Sequence, residues 1–128
     1  MLDREMQLLN ARRLGRGHDE DEIRKVLELA AAHATAATLI GMQAVYLDAG
    51  SGAERPVSPA VIRACRAAVP RSPLFVGGGI RTPALAHAAR QAGADFVVIG
   101  TVVEEGPQGE LGTRGGLGGL EAFVQAAR

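Results

Sequence analysis

Twice in this chain a short apolar run ends in glycine and is followed by a Ser/Thr-Pro helix start. Ala44-Val45-Tyr46-Leu47 leads through Gly50 and Gly52 to Ser58-Pro59, and Leu74-Phe75-Val76 leads through Gly77-Gly78-Gly79 to Thr82-Pro83. The two Ser/Thr-Pro pairs lie 24 residues apart. Serine or threonine at an N-cap and proline at the first helical position, where no amide donor is needed, form a local helix-start signal. A third run, Phe96-Val97-Val98-Ile99, ends at Gly100-Thr101. The repeating unit is strand, glycine turn, capped helix. Its strands are continuous apolar runs, which predicts burial on both faces and parallel pairing. The fold class is therefore α/β, built from parallel (β/α) units.

The remaining elements follow from the same rules. Asp19, Glu20, Asp21 and Glu22 place acids in a first helical turn, where the helix dipole favours them. Ile23, Val26, Leu27, Ala30, Ala34 and Ala37 recur at helical spacing, and Gly41 ends the helix. Val61, Ile62, Cys65, Ala68 and Val69 form the apolar face of the helix after Ser58. Leu85, Ala88, Ala89 and Ala92 form that of the helix after Thr82, which Gly93 terminates. The predicted organisation is a poorly defined segment over 1–18, a phosphate-binding (β/α) region over 19–105, a Gly-rich linker over 106–119 and a short helix over 120–128. The linker GPQGELGTRGGLGG holds seven glycines, a composition suited to a flexible chain. Leu120, Phe123, Val124 and Ala127 are expected on one side of the last helix.

Composition excludes several functions. Lysine plus arginine and aspartate plus glutamate balance at 14 each, so no basic field draws nucleic acid. Aromatics are 3% and tryptophan is absent, which removes base-stacking platforms. No apolar run reaches the roughly 20 residues of a transmembrane helix. The N-terminal MLDREMQLLNARR has no continuous apolar stretch of the kind a secretory signal carries. The single Cys65 reads as a buried apolar group in a reduced, cytoplasmic compartment. His18, His33 and His87 have no second ligand at metal spacing.

In parallel α/β folds the carboxyl ends of the strands form the working face. Glycine there lets backbone amides approach a ligand, and the next helix N-terminus adds free amides and partial positive charge. Three glycine-ended strands point to one bound anion, with phosphate the natural candidate. Arg81, directly after the GGG turn, has two open readings: an anion contact or a surface ion pair.

Together these residues form a signature. Tyr46-Leu47-Asp48-Ala49-Gly50-Ser51-Gly52 resembles the YLEAGSG segment of the geranylgeranylglyceryl and heptaprenylglyceryl phosphate synthases. Val76-Gly77-Gly78-Gly79-Ile80-Arg81-Thr82-Pro83 resembles that family's VGGGIR-S/T-P segment. Ala92-Gly93-Ala94-Asp95 followed by Ile99-Gly100-Thr101 is similar to its AGAD…GT segment. The resemblance covers about residues 20–105. It implies the C-terminal half of a TIM (β/α)8 barrel and a Mg²⁺-dependent prenyltransferase of ether-lipid biosynthesis, which moves a prenyl group from prenyl diphosphate to sn-glycerol 1-phosphate.

By the same resemblance, the segment from Tyr46 through Leu47, Asp48, Ala49, Gly50 and Ser51 to Gly52 binds substrate. Tyr46 and Asp48 meet the glycerol, with Asp48 as the catalytic residue. Gly50, Ser51, Gly52, Gly78, Gly79, Gly100 and Thr101 hold the phosphate. No Mg²⁺ ligand is visible. Asp48 stands where the family has Glu, one methylene shorter. A whole barrel takes about 200 residues or more, so the chain reads as a truncated form. A non-catalytic phosphate-binding half-barrel and another phosphate-binding barrel enzyme stay open as alternatives. Three parallel strands leave two open edges, so homo-oligomers are expected.

Overall fold

The computed structural model describes residues 20–100 and 117–128. The expectations on 1–18, on Asp19, on Thr101 and on the linker through residue 116 lie outside those residues. Helix α1 spans Glu20–Leu39, strand β1 Val45–Asp48, helix α2 Pro59–Ala68, strand β2 Leu74–Gly77, helix α3 Pro83–Ala92, strand β3 Phe96–Val98 and helix α4 Leu117–Ala126. The strands form one parallel sheet in the order β1-β2-β3. Val45 pairs with Leu74, Tyr46 with Phe75 and Asp48 with Gly77; Phe75 pairs with Phe96 and Gly77 with Val98.

Local signals set the helix limits. Ser58 accepts from the Val61 amide at 3.3 Å, and Thr82 from the Leu85 amide at 3.3 Å, each with proline following at the first position. Gly41, at φ 93°, closes α1: the Met42 amide reaches the Ala37 carbonyl at 2.9 Å and the Gly41 amide the Thr38 carbonyl at 3.1 Å. This is a Schellman closure, which a left-handed glycine permits. Helix α4 begins at Leu117 rather than Leu120. Its Phe123 is buried, while Val124 faces out, contrary to expectation. Its carboxyl end is tied to α3: His87 Nδ1 donates to the Ala126 carbonyl at 3.1 Å and Arg90 Nε to the Ala127 carbonyl at 2.7 Å.

The core lies between the sheet and the helices. Ile62, Leu74, Val61, Val76 and Cys65 are its largest fully buried side chains. Ile23, Val26, Ala30 and Ala34 of α1 and Ala86, Ala89 and Ala92 of α3 complete it; Ala86 takes the inward place expected of Ala88. The expectation that the strands are buried on both faces fails. Val45, Leu47, Leu74 and Val76 point to the helices, but Tyr46 is 50% exposed, Phe96 52% and Val98 40%. These side chains share the opposite face, where the rings of Phe75 and Phe96 stack with centroids 4.5 Å apart. Side chains alternate along a strand, and in a closed barrel the inner face is filled by residues from all the strands. Among the described residues there are three strands, so that face stays open.

Asp95 is a structural residue. Its Oδ2 accepts from the Leu74 amide at 2.8 Å and from Arg66 Nη1 at 3.0 Å. Arg66 Nη2 also donates to the carbonyls of Val69 and Ser72. Asp95 thereby joins the start of β2 to α2 and to the residue before β3.

Candidate functional site

At the carboxyl ends of the strands lies a cleft of about 290 Å³. The loop after β1 contributes Gly50, Ser51 and Gly52, the turn after β2 contributes Gly78, Gly79, Ile80 and Arg81, and the end of β3 contributes Val98, Ile99 and Gly100. Tyr46 and Asp48 enter from β1. The glycine turns therefore converge, although residues 50 and 100 are far apart in the chain.

Two glycines make that convergence possible. Gly79 has φ +69°, and a Cβ placed on it would stand 2.6 Å from the Arg55 carbonyl carbon. The loop after β1 lies directly over the GGG turn, with no space for a side chain between them. Gly78 has φ +81°, and its Cβ would meet Asp48 Oδ1 and the backbone of Gly50 at 2.9 Å. Asp48 Oδ1 accepts from the Gly50 amide at 2.8 Å.

Two residues of the expected binding segment fall elsewhere. Leu47 is 4% exposed and packs in the core, because strand alternation turns it away from Tyr46 and Asp48. Ala49 packs against the core, and its amide donates to the Gly77 carbonyl at 3.0 Å. The helix starts at Ser58 and Thr82 do not line the cleft either; their caps occupy the Val61 and Leu85 amides. The cleft is thus lined by turns and strand ends, not by the helix caps. Sequence reasoning missed Ile80, Val98 and Ile99. Alternation along Phe96–Ile99 would have placed Val98 on the Phe96 face. Arg81, which had two readings, lines the cleft.

The Tyr46 hydroxyl lies so close over Gly77 that a Cβ there would clash with it. Partial burial, and then the negative charge of Asp48, raise the Tyr46 pKa above its usual value of 10.0. Tyr46 therefore enters neutral-pH chemistry as a protonated hydroxyl, able to donate to a ligand oxygen. The chain has one tyrosine and no tryptophan, so phenolate absorbance reads Tyr46 alone. A midpoint above that of free tyrosine is expected, falling part-way back in Asp48→Asn. Stability owed to neutral Tyr46 is fully present below pH 10.0 and is lost as pH rises through the folded value. A midpoint equal to that of the unfolded chain would contradict this arrangement.

A family model described as the PcrB family matches residues 14–113. The chain belongs to the PcrB family. It is 55% identical over 78 residues to the geranylgeranylglyceryl phosphate synthase of Cenarchaeum symbiosum, covering 61% of this chain and 31% of that protein. It is 51% identical over 80 residues to the enzyme of that name from Spirosoma linguale, covering 62% and 32%. Among solved structures, wild-type GGGPS from Thermoplasma volcanium superposes with a TM-score of 0.67 at 32% identity, over 80% of this chain and 38% of that one. The Thermoplasma acidophilum (S)-3-O-geranylgeranylglyceryl phosphate synthase, in complex with its substrate sn-glycerol-1-phosphate, gives 0.68 at 34% identity, over 90% and 42%. This PcrB-family chain spans about a third of the length of the curated relatives it matches. The expected parallel (β/α) units of a TIM barrel are the fold it shares with them.

Proposed function

We propose that the cleft is the acceptor site of a prenyltransferase that joins a prenyl group from prenyl diphosphate to sn-glycerol 1-phosphate. The observation that carries this reading is the convergence of three glycine turns with Tyr46 on one cleft. The relatives' names support it, as does the glycerol phosphate bound to the Thermoplasma acidophilum enzyme. Backbone amides of the turns and Arg81 take the phosphate, and the Tyr46 hydroxyl faces the glycerol. This orients the acceptor, which is the part of the reaction these residues serve.

Mg²⁺, implied by the sequence resemblance, is not matched by a ligand set. Among the described residues no cluster of three or more His, Cys, Asp or Glu could hold a metal ion. The cleft's carboxylate, Asp48, has Oδ1 engaged with Gly50. No part in diphosphate departure is assigned to these residues.

Charge-assisted hydrogen bonds contribute about 1.5–3 kcal/mol each, and ordering and association offset much of that. A dissociation constant in the millimolar range, about −4 kcal/mol, is expected for sn-glycerol 1-phosphate. Calorimetry with this ligand, its 3-phosphate enantiomer and inorganic phosphate checks it. Tighter binding of the 1-phosphate than of its enantiomer supports the acceptor reading. Absence of heat for all three at millimolar concentration refutes the site.

A further inference from the structure

We propose that Gly77 is a positioning residue that sets acceptor specificity: its missing side chain is the seat that holds the Tyr46 hydroxyl at the cleft. The proposal rests on the reading of the cleft as the glycerol phosphate site.

Gly77 ends β2, the middle strand of the sheet, and is buried. Its backbone is that of an ordinary strand, paired with Asp48 on one side and Val98 on the other. Its carbonyl accepts from the Ala49 amide at 3.0 Å. Gly78 and Gly79 have φ +81° and +69°, but Gly77 has no left-handed backbone that requires glycine. Space is the reason instead. A Cβ at Gly77 would overlap the Tyr46 hydroxyl and stand 3.1 Å from Tyr46 Cε2 and 3.0 Å from Val98 Cβ. Val98 has only to give by a few tenths of an ångström. The hydroxyl has to leave.

Strand register shows which way the ring runs. Tyr46 pairs with Phe75, yet its hydroxyl lies over Gly77, two residues further along β2. Diagonal neighbours of this kind are within reach of an aromatic side chain. The ring therefore runs up the sheet toward the carboxyl ends, where Tyr46 lines the cleft and Gly77 itself does not. Alternation puts Phe75 on the same face as Gly77, and the Phe75 ring stacks on Phe96. Strand β2 thus carries a full aromatic side chain at Phe75 and none at Gly77, where Tyr46 crosses it. The partial burial that raises the Tyr46 pKa agrees with such a seat.

Filling the seat lifts the hydroxyl off the sheet, away from a ligand held by the glycine turns. The phosphate contacts stay, and the glycerol loses a hydrogen bond. One such bond is worth about three- to tenfold in affinity, and the loss falls on the enantiomer that Tyr46 recognises.

The test uses the full chain with Gly77→Ala, with Tyr46→Phe and with both. Phenolate absorbance reads the seat without ligand: in Gly77→Ala the Tyr46 midpoint is expected to fall back toward 10.0. Titrations with sn-glycerol 1-phosphate, its 3-phosphate enantiomer and inorganic phosphate read specificity. The preference for the 1-phosphate is expected to drop about threefold or more in Gly77→Ala, with inorganic phosphate binding kept. In the Tyr46→Phe background Gly77→Ala is expected to change the preference no further, because the hydroxyl it displaces is already gone. Independent roles would add instead. Should Gly77→Ala fail to fold, the double variant decides, since removing the hydroxyl makes room for the methyl group.

An unchanged Tyr46 midpoint in Gly77→Ala overturns the proposal. So does a preference for the 1-phosphate that survives the substitution, or one that Gly77→Ala lowers equally in the Tyr46→Phe background. A double variant that fails to fold where Tyr46→Phe alone folds has the same force. If the wild type binds none of the three ligands, the acceptor-site reading fails. The Tyr46 titration then still decides whether Gly77 seats the hydroxyl.

Discussion

Replacing Gly79 by alanine is expected to lower stability by about 2–5 kcal/mol. The left-handed backbone, φ +69°, costs an ordinary L residue about 1–2 kcal/mol. The added Cβ would stand 2.6 Å from the Arg55 carbonyl carbon and 2.7 Å from its oxygen. Those are backbone atoms, and they cannot turn aside as a flexible side chain would. Overpacking of this kind costs a further 1–3 kcal/mol, roughly. For a chain of this size the melting temperature falls by about 10 °C or more. Thermal or urea denaturation followed by circular dichroism measures it. The loop after β1 and the turn after β2 share this contact, so phosphate binding is expected to weaken in parallel at temperatures where the variant is still folded. A loss under about 1 kcal/mol would show that the loop lifts freely off the turn and that the two do not form one wall of the cleft.

Asp95→Ala carries the second large effect, at the other end of the sheet. Leu74 is fully buried, and its amide donates to Asp95 at 2.8 Å. Removing the carboxylate leaves that amide unsatisfied, at about 1–3 kcal/mol. Arg66 loses its charge partner but keeps the Val69 and Ser72 carbonyls. The Arg66 and Asp95 side chains are 25% and 43% exposed, so solvent screens the pair and its share is small. The expected loss is about 2–4 kcal/mol by denaturation. Asp95→Asn keeps an acceptor for Leu74 and is expected to lose about 1 kcal/mol. Neither change alters phosphate affinity in the folded protein, because Asp95 sits at the amino ends of the strands and the cleft at their carboxyl ends. A stable Asp95→Ala protein that no longer binds phosphate would reverse the assignment and make this aspartate functional.

Different physical ranges explain which parts of this molecule could be read in advance. The helix starts at Ser58-Pro59 and Thr82-Pro83 and the closures at Gly41 and Gly93 depend on bonds spanning three to five residues. Their signals are therefore written locally. The three strands, their parallel pairing and the glycine turns at their ends follow from the same punctuation. So does most of the cleft, because strand ends carry the turns: Tyr46, Asp48, Gly50, Ser51, Gly52, Gly78, Gly79 and Gly100 all line it.

Tertiary structure decided what depends on distant neighbours. Leu47 and Asp48 are adjacent in a segment that resembles a substrate-binding motif, yet only Asp48 reaches the cleft. The helices bury one face of β1, and alternation gives Leu47 to that face. Arg81 had two readings, an anion contact or a surface ion pair, and only the turn after β2 places it in the cleft lining. Asp95 reads as part of a phosphate-binding signature, but an arginine 29 residues earlier and an amide 21 residues earlier take up its carboxylate. The apolar strands promised burial on both sides. Apolar composition permits burial but does not supply the covering layer, and on the face of Tyr46, Phe96 and Val98 the described elements supply none. The sequence by itself determined where the chain turns and which backbone amides gather at the strand ends, because those are short-range choices of cap, turn and glycine. Only the packed sheet decided which side of each strand faces the cleft and which charged groups hold the frame, because those choices belong to residues that meet through space.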